Sequence, residues 1–258
     1  MDKLILIAGP CLIEDRDGAF TIASELKKLA DKFDLRLIFK GSYRKANRTD
    51  LNSYTGIGDE AALQILADVG KKFGVETITD VHESHEAEFA ASFVNHLQIP
   101  AFLCRQTDLL LAAGKHAKCV NIKKGQFLSP EAMSFPLEKV LSTGCKEIWL
   151  CERGTTFGYN DLIVDATAIH RLKQHGIKVI MDCTHATQKP NLTEGVTGGD
   201  PDLIETIALS AIATGADGLF IETHPEPAMA KSDSKTMLQL SKLEAILEKV
   251  IRVRNVIY

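Results

Sequence analysis

The chain has no apolar run long enough to cross a bilayer. Its longest, Leu4–Ala8 and Leu109–Ala113, fall far short of the ~18 residues a span needs. It has no excess of one charge: 30 Lys+Arg stand against 34 Asp+Glu, a net charge of −4. That argues against a nucleic-acid partner, which calls for a basic excess on one face. Met1-Asp2-Lys3 runs directly into Leu4-Ile5-Leu6-Ile7, without the basic segment, long apolar core and small-residue site of a secretion signal. No two of the six cysteines (11, 104, 119, 145, 151, 183) are spaced C-x-x-C, which speaks against a zinc knuckle or a thioredoxin-like motif. Nor is there a Pro/Gly/Ser-rich linker, so one domain over 1–258 is expected. With 45% hydrophobic and 25% charged residues, the balance is that of a soluble globular protein. A cytoplasmic enzyme with no membrane or nucleic-acid partner is the leading class.

What is present is one unit, repeated: an apolar strand followed by an amphipathic helix. Strands are expected at 4–8, 36–40, 75–80, 96–99, 119–123, 147–151, 177–182 and 217–222. They are short, apolar throughout and rich in Ile and Val, as strands covered on both faces are. Helices are expected at about 17–33, 59–73, 84–93, 107–115, 130–142, 161–175, 201–214 and 237–253. Gly74, Gly144, Gly176 and Gly215 fall between a helix and the next strand, where a C-terminal glycine is favoured. Pro130 and Pro201 stand at first helical turns. Eight strands and eight helices in strict alternation imply a parallel sheet. At this length they fit a closed α/β fold, the (β/α)8 TIM barrel, better than an open sheet.

A barrel of this kind carries its active site at the C-terminal ends of its strands. There the sequence places Gly9-Pro10-Cys11, Lys40, Asp80 with His82, Gln98, Lys123-Lys124, Glu152-Arg153, Asp182 with His185, and Glu222 with His224. The opposite ends, such as Asp34-Leu35-Arg36 and Lys146-Glu147, read as plain solvated turns. Cations at Lys40, Lys45, Arg48, Lys123 and Arg153 would suit a multiply charged anion, a phosphorylated carboxylic acid being the natural candidate. Cys11, His185, Glu222 and Asp233 offer a thiolate, an imidazole and two carboxylates. That set could hold a divalent transition metal, but they come from separate loops and spacing alone leaves the matter open. Cys104, Cys119, Cys151 and Cys183 read as small buried hydrophobes. Gly56-Ile57-Gly58 lies too far from its strand for a dinucleotide fingerprint. His82-Glu83-Ser84-His85 is one residue short of H-E-x-x-H. His96, His116, His170 and His175 read as surface or structural.

Longer segments carry a resemblance. Ala8-Gly9-Pro10-Cys11, Lys45-Ala46-Asn47-Arg48, Thr79-Asp80-Val81-His82-Glu83, the run from Gln98 to Leu110, the run from Asn121 to Phe127, the run from Glu152 to Asn160, and Glu222-Thr223-His224-Pro225-Glu226-Pro227 are similar to the 3-deoxy-D-manno-octulosonate 8-phosphate synthase family. The resemblance covers essentially the whole chain. It implies a homotetrameric barrel that condenses phosphoenolpyruvate with D-arabinose 5-phosphate and water, yielding the eight-carbon keto-sugar acid phosphate of the lipopolysaccharide inner core and inorganic phosphate. By the same resemblance, Lys40, Ser42, Lys45, Gln98, Lys123 and Arg153 cradle phosphoenolpyruvate. Asn47 and Arg48 belong to the arabinose 5-phosphate site, and Arg105 reaches the sugar phosphate of a neighbouring subunit. Cys11, His185, Glu222 and Asp233 match the ligands of the metal-dependent class, which binds one divalent ion (zinc, iron(II), manganese or similar). The metal-independent class has Asn in place of Cys11. Two departures are Thr49, for a common Ser, and Ala216, where many metal-dependent members have Cys.

The implied chemistry fits the residues. Carbon 3 of phosphoenolpyruvate attacks the aldehyde, water adds at carbon 2, and phosphate leaves by carbon–oxygen cleavage. A cationic cradle would stabilise the anionic groups throughout. Asp80, His82 and His185 are candidates for moving protons, with Lys40, Lys45 and Asn47 beside the reacting groups. Three rivals remain. A heptulosonate 7-phosphate synthase using erythrose 4-phosphate usually reads Lys-Pro-Arg-Thr at positions 45–48, and Pro cannot give a sugar hydroxyl the hydrogen bond Asn47 can. A Schiff-base aldolase would use Lys123 as nucleophile. A non-catalytic binding protein is disfavoured because no strand end has lost its polar group.

Overall fold

The computed structural model describes residues 2–47, 51–159, 161–189 and 198–258. Eight parallel strands close on themselves: β1 (Ile5–Gly9), β2 (Arg36–Lys40), β3 (Glu76–Asp80), β4 (His96–Ile99), β5 (Cys119–Lys123), β6 (Glu147–Glu152), β7 (Lys178–Asp182) and β8 (Gly218–His224). Each pairs with its sequence neighbours, and β1 also pairs with β8, Ile5 opposite Gly218 and Gly9 opposite Glu222. The helices between them are α1 (Arg16–Lys32), α2 (Asp59–Phe73), α3 (Glu86–Ala91), α4 (Thr107–His116), α5 (Ser134–Leu141), α6 (Ala168–Lys173), α7 (Ile204–Ala213) and α8 (Leu243–Ile257). This is the (β/α)8 barrel expected from the alternation. The four interhelical glycines have φ of 62, 83, 76 and 98°, the left-handed conformation that ends a helix cheaply only without a Cβ.

Five helices, α3 and α5 to α8, are shorter or later than their apolar pattern suggests. Residues 161–163 belong to a hairpin instead of the sixth helix: Thr155–Phe157 pairs antiparallel with Asp161–Ile163, and α6 starts at Ala168. The hairpin turns through Gly158 at φ 67°, which lets two short strands compete with a helix over the same residues. A 3-10 turn over Glu131–Met133 precedes α5. Leu238–Gln239 extends the sheet beside Thr223 and His224, so the last helix begins at Leu243, not near 237.

Strand alternation sorts side chains into two apolar clusters. Residues such as Leu6, Leu37, Phe39, Leu97, Val120 and Leu150 face the helices. Ile5, Ile7, Ile38, Ile78, Cys119, Trp149, Cys151, Ile180 and Phe220 fill the inside of the barrel. The cysteines expected to be buried, Cys104, Cys119, Cys151 and Cys183, are so. Gly9 sits where a Cβ would fall 1.9 Å from the Lys40 carbonyl oxygen, so only glycine lets β1 and β2 approach there.

The reading of the N-terminal strand ends as solvated turns holds for the exposed Asp34 and Lys146 and is corrected at Arg36 and Glu147. Arg36 points into the barrel mouth, donating to Glu147 Oε1 and Oε2 at 2.7 and 3.2 Å and to Glu76 Oε2 at 3.0 Å. Trp149 Nε1 donates to Glu147 Oε1 at 3.1 Å, and His96 packs against Trp149, fully buried. Period-two alternation directs Arg36, Glu76 and Glu147 inward with Ile38, Ile78 and Trp149. Crowded cations and carboxylates then pair across the mouth. His116 and His170 are exposed as expected.

Candidate active site

The same alternation that fills the barrel with apolar groups sends the next inward residue of each strand to the C-terminal rim. Lys40, Asp80, Gln98, Asn121, Lys123, Arg153, Asp182 and Glu222 are all buried there. Buried charge is expensive unless paired, and the lysines are paired. Lys40 Nζ donates to Glu222 Oε1 at 2.5 Å, to the Cys11 carbonyl at 2.8 Å and to Ser42 Oγ at 3.2 Å. Lys123 Nζ donates to Asp182 Oδ2 at 2.6 Å and lies 4.0 Å above the Phe220 ring. Such an ammonium has no lone pair to attack a carbonyl, which weighs against the Schiff-base rival.

Arg153 differs. Its Nη2 donates to Gln188 Oε1 at 2.5 Å, while Nη1 is buried with no partner. Asn121 Nδ2 donates to Gln98 Oε1 at 3.1 Å, leaving the Gln98 amide hydrogens for an anion. Asp80 Oδ1 and Glu222 Oε2 are likewise buried and unpartnered. Unsatisfied polar atoms at this density mark a place built for a polar ligand.

Beside this cradle, ligand atoms of Cys11, Glu222 and Asp233 lie within 4.8 Å of one another. Cys11 Sγ is 3.0 Å from Ser232 Oγ and donates to Asp233 Oδ2 at 3.2 Å. His185 Nε2 faces the group, 3.6 Å from Glu222 Oε2 and 3.9 Å from Asp233 Oδ2. Burial, and then the Asp233 and Glu222 carboxylates, push the Cys11 thiol far up. Both carboxyls are held low against burial, Glu222 by Lys40 foremost and Asp233 by Lys45 foremost. One sulfur and two ionised carboxylates gathered within 4.8 Å, with an imidazole facing both carboxylates, suit a divalent transition ion, whose charge would favour the thiolate. Lys45 is half-buried. Burial lowers the pKa of its ammonium, but Cys11, Glu222, Asp233 and Asp80 outweigh that and raise it.

Asp80 and His82 form a second group. His82 Nε2 is 3.1 Å from Asp80 Oδ2. Burial alone would raise the Asp80 carboxyl, but His82, Lys45 and Lys40 hold it well below the usual range. Glu86, at the start of α3, accepts from the His82 backbone N–H at 2.8 Å and from Tyr43 Oη at 2.7 Å.

Some expected members stand apart. Asn47 and Arg105 are exposed, and Arg48 lies outside the described residues. Lys124 is fully buried but turns away from the rim, donating to the carbonyls of Leu128 and Gly154 and to Thr155 Oγ1. His224 Nδ1 accepts from the Glu226 N–H of its own loop. Three residues without a place in the sequence reading belong to the site, Asn121, Glu86 and Gln188, and Asp182 was placed at the rim there without a role. For Asn121 and Asp182 the signal was available, since both hold the inward parity of their strands. Glu86 opens the short helix α3 and Gln188 a two-residue strand, both too short for periodicity to reveal direction.

A 2-dehydro-3-deoxyphosphooctonate aldolase of Brucella ovis is 46% identical over 248 residues, covering 96% of this chain and 90% of the relative. A protein of the same name from Chelativorans sp. is 47% identical over the same spans. The family model described as the DAHP synthetase I family matches residues 1–257, and with relatives this similar along nearly its whole length, the chain belongs to that family.

Proposed function

We propose that this single barrel domain condenses phosphoenolpyruvate with D-arabinose 5-phosphate and water, giving 3-deoxy-D-manno-octulosonate 8-phosphate and phosphate for the lipopolysaccharide inner core. The observation that carries it is the convergence of Lys40, Lys123 and the open Nη1 of Arg153 on one rim, beside the Cys11–Glu222–Asp233 group. The names of the relatives favour the eight-carbon product over the seven-carbon one of the heptulosonate 7-phosphate synthases. Ala46-Asn47, in place of the Pro-Arg usual in those synthases, agrees.

Lys40, Ser42, Lys45, Gln98, Lys123 and Arg153 bind and orient phosphoenolpyruvate, and fixed cations near its phosphate stabilise charge on the departing group. Asn47 and Arg48 take the sugar phosphate. The Asp80–His82 pair, oriented by Glu86, can hold or move a proton at His82 Nε2. Cys11, His185, Glu222 and Asp233 would hold one divalent ion (zinc, iron(II) or manganese), which when bound supplies Lewis-acid polarisation of an oxygen. Measuring phosphate release with arabinose 5-phosphate and with erythrose 4-phosphate tests the reading. A faster reaction with the four-carbon sugar would overturn it.

We also propose a cytoplasmic homotetramer in which Arg105 reaches a neighbouring site. No helix among the described residues is long and apolar enough to cross a membrane. Arg105 is exposed beside Phe102, and Phe127 and Phe135 are also more than half exposed. Large apolar groups left in water are what an interface between subunits would cover.

A further inference from the structure

Asp182 occupies the last inward position of β7, with no solvent exposure. Its Oδ2 lies 2.6 Å from Lys123 Nζ and 2.8 Å from His185 Nδ1. Its Oδ1 accepts the His185 backbone N–H at 2.9 Å. Phe220 closes the space beneath, 4.0 Å from Lys123 Nζ and with its ring 5.8 Å from that of His185. A carboxylate can only accept, so the 2.8 Å contact requires the proton on His185 Nδ1. Lys123 Nζ is also 3.3 Å from Nδ1. That contact is longer than both bonds to Asp182 and cannot coexist with a proton on Nδ1 aimed at Asp182. With Nδ1 protonated, the Nε2 lone pair faces Glu222 and Asp233.

We propose that Asp182 is a positioning residue serving two subsites at once: one carboxylate oxygen fixes the tautomer and tilt of His185 toward the Cys11–Glu222–Asp233 group and anchors the Lys123 ammonium of the phosphoenolpyruvate cradle. Through that oxygen the histidine and the lysine share one support. The inference rests on the substrate and metal reading above. A carboxylate behind a ligating histidine typically contributes roughly 10- to 100-fold in metal affinity.

The test compares the wild type with Asp182→Asn, an isostere with one accepting oxygen where three donors need two: in either orientation its NH2 faces a donor, either the His185 backbone N–H or the Lys123 and His185 side chains. Three quantities are measured: zinc affinity by competition with a chromophoric chelator, the separate KM values of the two substrates, and thermal unfolding. With Tm close to wild type, zinc affinity and the KM for phosphoenolpyruvate should each worsen by roughly 10-fold or more. The KM for arabinose 5-phosphate should hardly move. Unchanged zinc affinity together with an unchanged phosphoenolpyruvate KM overturns the proposal, as does an equal rise in both KM values. If Asp182→Asn does not fold, 15N NMR of histidine-labelled wild-type protein decides. A proton on His185 Nδ1 supports the proposal and a neutral Nε2–H tautomer refutes it. A wild type that binds no zinc defeats the metal reading, and the phosphoenolpyruvate KM and the tautomer then decide the role of Asp182.

Discussion

Arg153 shows what the site asks of one side chain. It is held by Gln188 on one guanidinium nitrogen and left open on the other. Arg153→Ala should therefore keep the fold, shown by an unchanged circular dichroism spectrum, yet lose phosphoenolpyruvate use. One charge-assisted contact that persists into the transition state costs about 2–4 kcal/mol, or roughly 30- to 1000-fold in kcat/KM. Unchanged kinetics would remove Arg153 from the cradle. Cys11 poses a sharper question. Exhaustive chelation should abolish wild-type activity and a divalent ion should restore it. Cys11→Asn should retain measurable, chelator-resistant activity and Cys11→Ala very little, since Asn can hydrogen-bond where the ion would sit. Full activity in a wild type that elemental analysis finds free of metal would give the four residues another role. Residues of this kind were legible because strand ends in a barrel must converge. What the residue pattern hid was the pairing: nothing in the sequence says that Lys40 rests on Glu222, or Lys123 on Asp182, because partners from distant strands meet only after closure.

Elements were easiest to read where the apolar pattern had no competitor. The strands β2, β4 and β5 begin and end where their apolar runs do. The sixth helix was misjudged because Asp161–Ile163 supports a hairpin as well as a helical turn, and local pattern cannot weigh a partner strand that is itself only three residues long. The joint between β1 and β2 is decided by space alone. A methyl group at Gly9 would overlap the Lys40 carbonyl. Gly9→Ala should destabilise by about 1–3 kcal/mol, the usual cost of overpacking, seen as a lower urea midpoint. Because Lys40 and Cys11 flank the joint, kcat/KM should fall as well. A midpoint equal to wild type would mean that the strands can part without strain.

At the scale of the whole molecule, assembly should complete the site. Arg105→Ala should raise the KM for arabinose 5-phosphate far more than that for phosphoenolpyruvate. Equal effects, or a fully active monomer by light scattering, would sink this. The N-terminal mouth governs stability instead. His96 foremost, then Lys118, hold the Glu76 carboxyl low, and Arg36 overcomes burial to do so for Glu147. Depressed carboxylates contribute stability that is present above their unfolded pKa of about 4.3 and lost as pH falls toward the folded value. Urea midpoints should therefore decline as pH drops below about 4. Glu76→Gln should flatten that decline, and an unchanged acid limb would show that the mouth cluster does not contribute.

Between the two charged ends lies the apolar filling of Ile38, Ile78, Trp149, Ile180 and Phe220. Arg36 and Lys40 are four residues apart on β2, roughly 13 Å along a strand. That filling acts as an insulating partition, so each mouth can be rewired without the other registering it. Arg36→Met, which strands two carboxylates, should cost about 2–3 kcal/mol of stability, somewhat less than a fully buried pair because the mouth is partly wet. Its kcat/KM should match that of wild type. Combined with Arg153→Ala, the two losses should add to within about 0.5 kcal/mol. One end of the barrel would then be free to change with temperature or acidity while the chemistry at the other stays fixed.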